Sequence, residues 1–185
     1  MVSGLVFCST EATLIWQASA LDRSTRKLGH VLLQTLAIVL STIGLVAVFK
    51  NHNENGFKNM YSAHSWFGIS VIILFWLQYL AGLYYFLFPG QDASAKGAYM
   101  PLHRYIGTFL FALILATAML GLQEKMGFNK TGTKMGEEYR LTNTIAVFTM
   151  VLGASVPLAM AGRLQEPGAE GFVEKAPQAA SPVLC

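Results

Sequence analysis

Charge is what this sequence has least of. Asp, Glu, Lys and Arg together make 12% of its 185 residues, against about a quarter in an ordinary soluble domain. A shortage of that size excludes a water-soluble globule with a charged surface all round. The thirteen basic residues exceed the ten acidic ones by only three and are scattered, so no basic patch suits nucleic acid. Cysteine is also scarce. Cys8 and Cys185 lie at opposite ends and fit neither a metal-ligand spacing nor a disulfide framework. The first apolar stretch has no basic run before it, so it does not read as a secretory signal.

What is abundant is apolar. Hydrophobic residues make 54% of the chain and the mean hydropathy is +0.46. A bilayer core needs about 20 mostly apolar residues per helix. Four runs meet that length: 29–49, 64–88, 103–122 and 141–161. They are too long, and alternate too little, for barrel strands. A fifth and weaker run, 2–20, carries Glu11 near its middle and is expected to be a buried span. The fold class is therefore all-α, a transmembrane bundle of about five spans. The expected unit covers 1–163. Residues 164–185, rich in Ala, Pro, Gly and Glu, read as a disordered tail.

Short connections are expected at 22–27, 50–62, 89–102 and 123–140. Lys and Arg favour the cytoplasmic side of a span, but here they divide seven to six between the two sides and orient nothing. Asn129, Lys130 and Thr131 form a glycosylation acceptor triplet, which would make the loop 123–140 lumenal or external if used.

Four histidines carry most of the chemical information. His30, His64 and His103 each stand at the start of a span, and His52 lies in a connection. Ionisable groups inside a membrane are costly and mark function by default. Spans alternate in direction, so His30 and His103 share one membrane face and His64 lies at the other. Two imidazoles at one depth can hold a haem iron from both sides, an arrangement suited to electron transfer. Gly68 and Gly107 follow His64 and His103 by four residues, one helical turn on the same face. They either clear room for a flat macrocycle or let helices pack closely.

The chain also resembles a known family, the cytochrome b561 family of ascorbate-dependent transmembrane electron carriers. The resemblance rests on Lys27-Leu28-Gly29-His30 with Gln34, and on Tyr61-Ser62-Ala63-His64-Ser65-Trp66. It continues in Gln78, Gly82, Pro89-Gly90, Pro101-Leu102-His103 with Gly107, Glu124-Lys125 and Asn143. It covers residues 1 to about 163 and implies six helices with two haems b. By resemblance, His30 and His103 hold the cytosolic-side haem. His64 is one ligand of an outer haem, with Tyr61, Ser62 and Glu124 beside it. The family's fourth ligand, a His-Pro pair opening its second helix, has no counterpart here, so the chain reads as starting late. One haem then has both its ligands, and a second lacks one.

The resemblance implies the reaction as well. Cytosolic ascorbate, an anion, would give one electron at the His30–His103 side, near Lys27, Arg23 and Lys96. The electron would leave on the far side, near His52, to monodehydroascorbate or a ferric chelate. Arg26 and Arg104 read as anchors whose charges reach lipid headgroups. The implied partners are these small molecules, membrane lipid and a second copy in a homodimer. Two other readings compete. One is a cofactor-free transporter whose Glu11, histidines and Gln78 line a polar path. The other is a truncated relative that moves no electrons.

Overall fold

The computed structural model describes residues 2–17, 20–128 and 136–163. Within them the chain forms five helices and no strand. They are α1 (Val2–Leu14), α2 (Arg23–Glu54), α3 (Ala63–Gly82), α4 (Ala93–Phe128) and α5 (Glu137–Arg163). A 3₁₀ turn, Ile15–Gln17, follows α1, and a widened π turn, Leu83–Leu87, prolongs α3. The tail 164–185 and the triplet at 129–131 lie outside the described residues.

Four helices, all but α1, are long and apolar enough to cross a membrane. The 13 residues of α1 rise only about 20 Å, less than a hydrocarbon core of about 30 Å. Glu11 is exposed, while Leu5, Cys8, Ser9, Thr10 and Ala12 are buried. So α1 packs against α2, α4 and α5 and turns its carboxylate away from them.

The helices outrun their apolar windows. Helix takes over part of every expected connection: α2 begins at Arg23 and continues to Glu54, α4 begins at Ala93 and runs on to Phe128, and α5 begins at Glu137. Hydropathy sees only the part that lies in hydrocarbon, and a helix continues until a residue stops it. For α2 the stop is Gly56, at φ +69°, a left-handed geometry that favours glycine. Asp22 caps its other end by accepting from the Thr25 backbone N–H at 3.0 Å. At the head of α4, Asp92 accepts from Ala95 N at 2.7 Å.

Successive helices run antiparallel. Gly4 meets Leu40 while Ile15 meets Gly29. Thr35 bonds Tyr79, and Trp76 donates to Thr42. Gln78 bonds His103, while Tyr61 reaches Glu124. The core lies at mid-depth, where Leu5, Ala37, Ile38, Val71, Phe75, Leu110 and Ile114 pack together. Outward faces are apolar too: Ile43, Leu77, Phe148 and Leu158 are exposed, as lipid requires and water does not.

Candidate functional site

His30 stands two turns into α2 and His103 three turns into α4, so both lie at the same end of the bundle. Their rings face each other with centroids 6.3 Å apart and planes at 68°. The helices that carry them stay apart, since no Cα of α2 comes within 8 Å of one of α4. Metal–imidazole bonds run about 2.0–2.1 Å, so two rings trans across one metal have centroids about 6–7 Å apart. The pair fits a bis-imidazole iron, and the separated backbones fit a flat group lying between them.

The rings are also oriented. His30 Nδ1 lies 2.6 Å from the Ala12 carbonyl, in the last turn of α1, where carbonyls run out of intrahelical partners. An Nδ1–H donated there leaves Nε2 as the free ligand atom. The Gln78 amide nitrogen lies 2.9 Å from His103 Nδ1 and donates to the His103 carbonyl at 2.8 Å. Phe86 packs edge-on at 5.2 Å and Tyr99 lies at 6.1 Å from the same ring. The π turn of α3 brings Phe86 there, an irregularity often found at functional sites.

Arg23 and Lys27 occupy the first turns of α2 and Lys96 the first turn of α4, so all three share the end that carries His30 and His103. Lys27 and Lys96 are half-buried. Arg26 departs from its expected role as a lipid anchor. Its guanidinium lies over the Trp16 ring at 5.8 Å and donates to the Trp16 carbonyl at 3.3 Å. Its buried Nε has no hydrogen-bond partner, and Trp16 stands 6.1 Å from the His30 ring.

The other end carries His64, the second residue of α3. Its Nδ1 lies 3.0 Å from the Thr117 carbonyl. Gly121, one turn further along α4, makes that approach possible, because a Cβ there would come within 2.8 Å of the ring. Tyr61 donates to Glu124 at 2.7 Å, and this bond, helped by the carboxylate's charge, raises the exposed phenol's pKa. Ser62 caps α3, accepting from Ser65 N at 3.2 Å. His52 sits in the last turn of α2, where it bonds Asn59 at 3.1 Å and stacks edge-on with Phe57. Among the described residues no second imidazole makes ring contact with His64, and no cluster of three metal-binding side chains forms. From the described residues, a metal centre at this end would draw one imidazole, that of His64.

Residues 1–129 match the family model described as eukaryotic cytochrome b561. The chain belongs to this family. A maize relative, ascorbate-specific transmembrane electron transporter 2, is 38% identical over 94% of this chain and 75% of its own length. Transmembrane ascorbate ferrireductase 1 of Arabidopsis thaliana is 37% identical over 85% of this chain and 67% of its own. The bovine transmembrane ascorbate-dependent reductase is 40% identical over 83% of this chain and 59% of its own. This cytochrome b561 relative is a multi-pass membrane protein and a transmembrane oxidoreductase.

Some of the site was hidden in the sequence. Gly68 and Gly107 do not touch the histidines. A Cβ added to them would meet Thr117 and Gln78, each at 3.8 Å, while the glycines against the rings are Gly121 and Gly82, where an added Cβ would lie 3.4 Å from His103. Both belong to the neighbouring helix, which spacing along one helix cannot reveal. Gln78 gave a usable signal, because a polar amide deep in an apolar run needs a partner.

Proposed function

We propose that this protein passes electrons from ascorbate, on the side of His30 and His103, to an oxidised acceptor on the far side, with haem b as the carrier. The observation that carries this is the pair of imidazoles 6.3 Å apart across two helices whose backbones stay separate. Held there, haem b supplies a one-electron iron centre whose saturated coordination disfavours oxygen binding. His30 and His103 would hold it through their Nε2 atoms. Ala12 and Gln78 keep the ring planes fixed.

The donor is an anion and needs positive charge close to the histidine pair. Lys27, Arg23 and Lys96 would attract it. Arg26 adds an unpaired N–H beside Trp16, one turn from His30. Guanidinium suits oxyanions better than an ammonium because its donors are held in a plane. At the opposite end, His52, Tyr61 and Glu124 would receive the acceptor. The acceptor is monodehydroascorbate or a ferric chelate, the latter in keeping with the name of the Arabidopsis relative. His64 would be one ligand of a second haem, and no step is assigned through it.

A visible spectrum of the purified protein tests the proposal. The expected result is a Soret band, with a sharp α band appearing on addition of ascorbate. His30→Ala and His103→Ala should each abolish the ascorbate-reducible centre, while His64→Ala spares it. Unchanged haem content and ascorbate reduction in His30→Ala would overturn the pairing.

A further inference from the structure

All four histidines have an Nδ1 held by a neighbour, His52 by the Asn59 side chain beyond the end of α2, and the three near the starts of the spans are not held alike. His30 and His64 are anchored by backbone carbonyls, Ala12 O and Thr117 O. No substitution removes a carbonyl. His103 is held by a side chain, the amide of Gln78.

We propose that Gln78 is the positioning residue for His103, with an amide that sets which ring nitrogen carries the proton and how basic the iron ligand is. The inference rests on the reading of His30 and His103 as haem ligands. Gln78 is half-buried in the middle of α3. Its amide nitrogen is 2.9 Å from His103 Nδ1 and 2.8 Å from the His103 carbonyl, and its oxygen lies 3.5 Å from the Tyr99 hydroxyl.

A neutral imidazole has one protonated nitrogen and one free. In the arrangement present, the amide N–H points at Nδ1, which favours a proton on Nε2. Binding through Nε2 requires the opposite tautomer, with Nδ1–H as donor. The carboxamide can serve both, since its oxygen and nitrogen occupy nearly equivalent positions. Turned over, Oε1 accepts from Nδ1–H and the amide nitrogen faces the Tyr99 hydroxyl, which accepts as well as donates. The His103 carbonyl, now 2.8 Å from the amide nitrogen, would then face an acceptor, so the amide must swing away from it as it turns. A stronger acceptor at position 78 would then make His103 a more electron-rich ligand and stabilise the oxidised iron. Removal of the acceptor would do the reverse.

The test compares wild type, Gln78→Leu and Gln78→Glu as purified full-length protein. Two readouts are needed: haem per chain, and the midpoint potential of the centre that His30→Ala abolishes. Gln78→Glu should keep haem and shift the midpoint down. Gln78→Leu should shift it up and weaken haem retention by roughly 10- to 100-fold, as loss of an outer-shell partner typically does. Opposite shifts support the proposal, because a packing role alone would move both variants the same way. If Gln78→Leu does not fold, Gln78→Met takes its place with the same expected upward shift, because an added carboxylate lowers a nearby iron's midpoint by its charge alone. Equal shifts, or an unmoved midpoint in a haem-replete Gln78→Glu, overturn the role of Gln78 while leaving the haem reading intact. A wild-type protein without haem overturns both.

Discussion

A missing side chain governs the outer end of the bundle. Gly121 lets the His64 ring lie flat on α4 and reach the Thr117 carbonyl. An added methyl would sit 2.8 Å from Cε1 and 3.0 Å from Nδ1, closer than real contacts allow. Gly121→Ala should therefore push His64 off its anchor and destabilise the protein by about 1–3 kcal/mol, the usual cost of overpacking. Gly68→Ala is the control, because its methyl would meet Thr117 at an ordinary 3.8 Å. Thermal unfolding in detergent checks the pair: equal Tm values for the two variants would remove the argument. The histidines themselves could be read from the sequence, because an imidazole in an apolar run is too costly to be idle. Their partners could not. Whether Arg26 reaches for lipid or folds over Trp16 depends on where α1 ends relative to α2, and no residue pattern near Arg26 encodes that.

For whole helices the sequence gives a clear central portion and a poor outline. Apolar windows located α2 to α5, since the hydrocarbon requirement is written residue by residue. Their polar extensions read as connections because Lys50, Asn51 and Asn53 are not apolar, although nothing in them breaks a helix. The ends are set by caps, and one of these makes α2 sensitive to acid. The Thr25 side chain, then its backbone N–H, holds the Asp22 carboxyl below the usual carboxylate range. A depressed folded pKa means that the cap stabilises α2 above the ordinary Asp pKa of about 3.9 and is lost as pH falls through the folded value. Amides in the first turn of α2 should lose protection, relative to their intrinsic exchange rate, over that acid range in the wild type. Asp22→Asn, which keeps a capping oxygen but cannot titrate, should flatten this dependence. A first turn whose protection in the wild type ignores pH would refute the cap's role.

Across the molecule, antiparallel order assigns every connection to a side although charge counting could not. Residues 20–22 and 88–92 belong to one end, 55–62 and 127–128 to the other. Single cysteines at Ser24 and Gly90 should react with an impermeant thiol reagent from one side of a sealed vesicle. Those at Lys58 and Gly127 should react from the other, in a Cys8→Ala, Cys185→Ala background. Labelling of all four from one side would rule out the bundle. The packing also has a grain. The most extensive contacts are α1 with α2 and α3 with α4, while α2 meets α3 more lightly and its backbone stays clear of that of α4. The first four helices are thus two hairpins, with α5 packed on α4 and α1, and each hairpin brings its own imidazole already tethered, the first to Ala12 and the second to Gln78. The two rings oppose one another only once the hairpins come side by side in the bilayer. The mid-depth core already joins the two halves, so a planar cofactor between the rings would act as a second clasp, fastening them at one end.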